Sequence, residues 1–122
     1  MTRTRAALII AGVAVAALTF HAQVPDPALT HRFTEIAPGV YSAMATGGLN
    51  LGSNSAVIVN QDDVIVVDSH ISPEAGRALL RELKTLTSKP VTMLINTHFH
   101  YDHTNGNQSF PGIAIVGHEY TR

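Results

Sequence analysis

Three short runs constrain this chain more than anything else in it. Ala56 to Val59, Val64 to Val67 and Val91 to Ile95 are almost wholly apolar and rich in β-branched residues. Runs of this length and composition read as strands buried on both faces, a habit of sheets covered by helices. Between the second and third runs the period changes to that of a helix. Ala75, Leu79, Leu83 and Leu86 fall on one face, with Arg77, Arg81 and Lys84 elsewhere. Ser72 suits the cap of that helix, Pro73 its first turn and Glu74 its positive end, and Pro90 punctuates its exit. Shorter strands are expected at Phe33 to Ala37, Val40 to Met44 and Ile113 to Val116, with the start of a further helix at His118 to Arg122. The fold class is therefore α/β: a mixed, mostly antiparallel sheet with one main helix, resembling one layer of a sandwich. The other face of such a sheet calls for a covering layer, and its absence from these residues predicts instability or self-association.

The amino end reads differently. Arg3 and Arg5 precede an uncharged run from Ala6 to Phe20, and Gln23-Val24-Pro25-Asp26-Pro27 breaks any helix. That is the order of a secretory signal peptide, with Ala22 expected as its last residue and Ala17 as the other option. The expected division is 1–22 signal peptide, or an uncleaved anchor and the one route to a membrane; 23–32 flexible lead-in; and 33–122 the folded domain. Localisation is expected to be periplasmic or secreted. The chain has no cysteine, so disulfides and thiolate chemistry are excluded, and any metal must be held by imidazole and carboxylate. Its eight basic residues build no basic face, which argues against nucleic acid as a partner and leaves a small-molecule substrate.

His98-Phe99-His100-Tyr101-Asp102-His103 gathers three imidazoles and a carboxylate within six positions. Neutral imidazole is a good zinc ligand, and carboxylate suits a harder second position. In an extended segment residues two apart face one side, so His98 and His100 can grip one ion, with Asp102 in the same alternation. A turn at His103 would bring its ring beside Asp102 on a neighbouring ion. Ala45 to Ser53, with three glycines, reads equally as a wide hairpin connection and as a flap over a pocket, with Leu49 and Leu51 offering apolar contact to a substrate. His70 reads as facing the pocket or as an exposed loop residue, and Tyr101 as packing on the ligands or lining the pocket. Asn54 and Asn96 read as residues that fix turns.

Thr97 to Thr104 resembles the signature segment of the metallo-beta-lactamase superfamily of metallohydrolases, and the similarity extends over roughly residues 33–122. That resemblance implies half of a four-layer αββα sandwich. It implies two zinc ions per complete domain, with iron or manganese as alternatives. His98 and His100 would be ligands of the first, and Asp102 and His103 of the second. It also implies that Asp68 supports the site from behind the ligands; capping the turn before Ser72 is the other role open to it. Asp102 would in addition steer the attacking water. His118 is left outside the ligand set. The remaining ligands of the family are not recognisable after His103, so the resemblance is to the amino-terminal half of the domain.

The expected function is a metal-dependent hydrolase that sets a zinc-activated hydroxide on a carbonyl or ester substrate such as a lactam, lactone or thioester. The alternative is an incomplete, catalytically inactive piece of such an enzyme that binds metal weakly. A noncatalytic scaffold assembling through the open sheet is a third class.

Overall fold

The computed structural model describes residues 29–121. The leader expected at 1–22 and most of the 23–32 lead-in lie outside them. Among the described residues no helix is long and apolar enough to cross a membrane.

Six strands form one sheet in chain order: β1 (His31–Ala37), β2 (Val40–Ala45), β3 (Ser55–Val59), β4 (Val64–Val67), β5 (Val91–Asn96) and β6 (Ala114–Gly117). The first four pair antiparallel as a meander. β5 and β6 then join parallel to β4, each after a crossover. The first crossover carries helix α1 (Pro73–Glu82), whose start follows from its sequence. Ser72 accepts the amide of Ala75 through Oγ at 3.2 Å, and Pro73 occupies the first turn. The helix tightens into a 3-10 turn over Leu83–Thr85 before the chain reaches Pro90. The second crossover carries a four-residue helix, α2 (Tyr101–Thr104), and a 3-10 turn at Asn107–Ser109.

The core lies between α1 and one face of the sheet. Leu79 and Leu83 pack on Ala43, Val57, Val64, Val66 and Leu94, with Phe110 closing one end. Burial of each such leucine contributes about 1.5–3 kcal/mol. The expectation of strands buried on both faces is corrected: Val57, Val66 and Leu94, which are partners across the sheet, are buried, while Ile58, Ile65, Val67, Met93 and Ile95 on the opposite face are part-exposed. The runs are apolar on both sides, but α1 covers one side only. Ile115 and Val116 on the edge strand β6 are also exposed.

The lead-in is corrected as well. β1 begins at His31, two residues earlier than expected, because the His31 ring is drawn into the interior and is 2% exposed.

Candidate metal centre

β4 and β5 run parallel, so their carboxyl ends emerge at the same edge. β4 delivers Asp68-Ser69-His70 there, and β5 delivers Asn96-Thr97-His98. Asp68 (φ 63°) and His70 (φ 73°) both adopt left-handed backbone, a conformation that costs a non-glycine residue on the order of 1–3 kcal/mol. Neighbouring segments hold them in it. The Asp68 amide donates to the Ile95 carbonyl and the Ser69 amide to the His103 carbonyl, both at 2.8 Å. The Gly106 amide donates to the His70 carbonyl at 3.0 Å, and Ser55 Oγ to the Asp68 carbonyl at 2.8 Å. Gly106 is obligatory at this weld, since a Cβ there would lie 1.8 Å from the Ser69 carbonyl oxygen.

The left-handed turn aims the Asp68 carboxylate at the base of the histidine loop. It accepts the Thr97 amide on Oδ1 and the Thr97 hydroxyl on Oδ2, each at 2.8 Å, and Oδ2 also meets His103 Nδ1 at 2.7 Å. Opposite a carboxylate, His103 Nδ1 carries the proton, so in the neutral ring Nε2 presents a lone pair. That Nε2 lies 3.5 Å from Asp102 Oδ2. The Thr97 hydroxyl, having donated to Asp68, accepts from His98 Nδ1 at 2.9 Å, which leaves His98 Nε2 bare. His98 Nε2 then sits 3.0 Å from His100 Nδ1. The rings of His98 and His103 are 4.1 Å apart between centroids, so the two donor pairs are adjacent.

All four candidate ligands thus meet, as two pairs. Their chemistry fits a borderline divalent ion, and so does their spacing: neighbouring donors on a tetrahedral ion with bonds of about 2.0–2.1 Å stand about 3.3 Å apart. Among the described residues no three donors converge as one cage. The expected alternation holds only as far as His100. Asp102 and His103 face each other because α2 begins at Tyr101 and turns the chain, and the extended segment does not reach Asp102. The expected role for Asp68 as a cap of the following turn is not what its carboxylate does; Ser72 caps α1 with its own hydroxyl.

The loop from Ala45 to Ser53 joins β2 to β3 and also leans on the motif. Ser53 Oγ donates to the Asp102 carbonyl at 2.5 Å, and Gly52 (φ 73°) packs so closely that a Cβ would come within 2.9 Å of Asp102 Cβ. A cleft of about 440 Å³ opens along this loop between Gly47, Leu49, Asn50 and Asn54. Leu51 also lines this cleft but is buried at 1% exposure, and its carbonyl accepts the Ile71 amide. Tyr101 is exposed. His118 bonds locally with Tyr120 and Thr121, and its Nδ1 accepts the Tyr120 amide at 3.3 Å. Asn96 fixes more than a turn: its carboxamide pairs with that of Asn107 and reaches the His103 carbonyl at 3.3 Å.

His70 is neither a pocket residue nor an exposed one. It is fully buried, with Nδ1 donating to the Ser53 carbonyl at 3.1 Å and Nε2 2.9 Å from His31 Nε2. His31 Nδ1 in turn lies 3.0 Å from Glu82 Oε2 on α1. Burial, and then the charge on His31, pushes the His70 pKa down to about 4, so His70 is the neutral member. For all these contacts to be hydrogen bonds His31 must carry protons on both nitrogens. Burial opposes that and holds its pKa down, while the Glu82 hydrogen bond and charge favour it. Burial also works to raise the Glu82 pKa, but donors from Thr30 and His31 together outweigh it and keep it low. Sequence reasoning missed this triad. One signal was present: Glu82 stands in the apolar stripe of its helix, between Leu79 and Leu86.

The sequence profile of the metallo-beta-lactamase superfamily matches residues 48–121. Residues of this chain are 34% identical over 71 positions to a hydroxyacylglutathione hydrolase of Gloeobacter violaceus, covering 55% of this chain and 28% of that protein. They are 37% identical over 49 positions to a linear primary-alkylsulfatase of a Pseudomonas species, covering 40% of this chain and 9% of that protein. The fold is similar to that of a metallo-beta-lactamase from Pseudomonas aeruginosa solved in its mono-zinc form, with a TM-score of 0.63, 21% identity, and coverage of 75% of this chain and 43% of that one. The chain therefore spans less than half the length of each of these relatives. With the profile matched over more than half its residues, and the half-sandwich sheet and helix in place, this chain belongs to the metallo-beta-lactamase superfamily.

Proposed function

We propose that this chain contributes His98, His100, Asp102 and His103 to a zinc centre of a metal-dependent hydrolase acting on a small carbonyl or ester substrate. The observation that carries the reading is the arrangement of bare donor atoms. His98 Nε2 faces His100 Nδ1 at 3.0 Å and His103 Nε2 faces Asp102 Oδ2 at 3.5 Å, while Thr97 and Asp68 occupy the far nitrogens of His98 and His103. Ligand-type atoms this close together can be bridged by one cation, and a hydrogen bond to the far nitrogen raises the basicity of the donating one. A bound ion supplies Lewis acidity and a water of lowered pKa. Asp68 holds the His103 ring, and Asp102 offers a carboxylate that can orient a water. The glycine-rich loop that lines the cleft touches Asp102 through Gly52 and Ser53, which supports a role for the loop in receiving a substrate of modest size. The similarity to an alkylsulfatase and to a hydroxyacylglutathione hydrolase supports ester-type hydrolysis as the reaction class. The composition of residues 1–22 supports export to the periplasm or beyond.

The test is a zinc titration of the full chain against a competing chelator dye, beside His100→Ala and His103→Ala. Each substitution is expected to weaken binding by at least about tenfold. Affinity unchanged in both variants refutes the assignment.

A second reading is favoured by the lack of a three-donor cage among the described residues. A catalytic zinc normally has three protein ligands, and each pair offers two. On this reading the 122 residues alone bind metal weakly and turn nothing over. Metal uptake without hydrolysis of lactam, lactone or thioester probes supports it, and turnover abolished by His100→Ala refutes it.

A further inference from the structure

The buried triad is not used by the chemistry proposed above, yet it abuts the segment that chemistry depends on. We propose that Glu82, His31 and His70 form a positioning relay that holds the left-handed Asp68–Ser69–His70 turn and, through it, fixes the side chain of His103. The consequence for metal rests on the zinc reading; the positioning of His103 does not.

The connections run from the helix to the loop. Glu82 Oε2 accepts the His31 amide at 2.9 Å and meets its ring, and Oε1 accepts the amide and hydroxyl of Thr30, so α1 grips the start of β1 at four points. The His31 ring hands on to His70 at Nε2, and the Ser53 carbonyl holds the Nδ1 side of the same ring. With its ring fixed, His70 keeps a φ of 73° that its side chain would otherwise disfavour. The two residues before it then make two contacts to His103: the Asp68 carboxylate to its ring, and the Ser69 amide to its carbonyl at 2.8 Å. A second tie passes through Ser53, whose carbonyl accepts a hydrogen bond from His70 Nδ1 while its hydroxyl donates to the Asp102 carbonyl. Both candidate ligands of the second pair thus hang from His70. An ordinary core would fill this space with apolar side chains at lower cost. A carboxylate and two imidazoles, each nearly or fully buried and all with partners, are an expensive alternative unless a defined geometry is needed.

The full chain is tested as Glu82→Gln, which keeps size and an acceptor while removing the charge. Leu83→Ala serves as a control that loosens the same helix without touching the triad. The primary readout is the proton of the His103 ring on Nδ1, followed by NMR without metal, where its hydrogen bond to Asp68 gives a protected, far-downfield signal. In Glu82→Gln this signal is expected to shift or vanish and zinc affinity to fall about tenfold, the cost of a lesion behind the ligands. Leu83→Ala is expected to lower the melting temperature with the signal and affinity retained. The proposal is overturned if folded Glu82→Gln keeps the signal, or if Leu83→Ala loses it equally. Should Glu82→Gln not fold, His31→Phe cuts the relay at the ring while leaving every Asp68 contact in place; a displaced His103 signal supports the relay and an unchanged one overturns it. If the parent chain takes up no zinc, the metal reading fails while the His103 signal still decides the relay.

Discussion

The molecule holds two clusters of histidine and carboxylate, built from the same chemistry and put to opposite ends. In the interior, His31, His70 and Glu82 have no buried polar atom without a partner. At the sheet edge, His98, His100, Asp102 and His103 are half-buried or exposed, and their ring nitrogens and carboxylate face one another. The contrast teaches that residue type alone does not separate a structural cluster from a candidate site; burial does more. The inner cluster is sealed from solvent with every polar atom partnered. The outer one lies open at a sheet edge where a ligand can reach it.

The sharpest way to break this comparison is to remove one inner imidazole. His31→Ala removes the ring that joins Glu82 to His70 and leaves a cavity, while the Thr30 donors and the main-chain amide still reach Glu82, and the expected loss is about 2–4 kcal/mol in urea unfolding. A loss below about 1 kcal/mol would show that the inner cluster is not structural. Gly106→Ala strikes the weld between the clusters, where the new methyl meets the Ser69 carbonyl. About 1–3 kcal/mol is expected, together with weakened zinc binding. If zinc affinity survives that loss, the clusters are independent.

Acid distinguishes them next. The His70 pKa in the fold, about 4, lies below the 6.5 of the free side chain, so the unfolded chain binds that proton first as pH falls. The stability it contributes is whole above pH 6.5 and drains away between 6.5 and about 4, on the order of 1 kcal/mol per pH unit. Unfolding midpoints at pH 7 and pH 5 should differ accordingly, and His70→Gln should flatten the difference. The smallest effect is at the edge: His100→Ala is expected to change stability by less than about 0.5 kcal/mol while it costs the chain its metal. A large destabilisation there would make the outer cluster structural too.

Legibility in the sequence followed locality. Ser72, Pro73 and the 75, 79, 83 stripe act within one helix, and they give its start and buried face correctly. The motif His98 to His103 is contiguous, so its members could be named, and the family resemblance assigned them to two pairs that the structure also brings together. What failed was the geometry inside it, since nothing in the alternation of residues announces that α2 begins at Tyr101. The triad failed differently. Glu82 and His31 are 51 residues apart, and His31 falls where composition suggests a loose lead-in. Only β1 docking beside α1 makes them neighbours. The apolar runs were legible as strands but not as one-sided, because the count of valines does not say how many faces a helix will cover.

One feature of the sheet reaches further. β4, β5 and β6 all run in the same direction, so the residues following 67, 96 and 117 all leave along a single rim. Loops grafted at any of those three exits can lengthen, shorten or change composition and still converge on the same neighbourhood, without disturbing the strand register behind them. New specificity in such a scaffold becomes a matter of editing a fringe rather than rebuilding a core, which is how one barely altered frame can serve many different reactions.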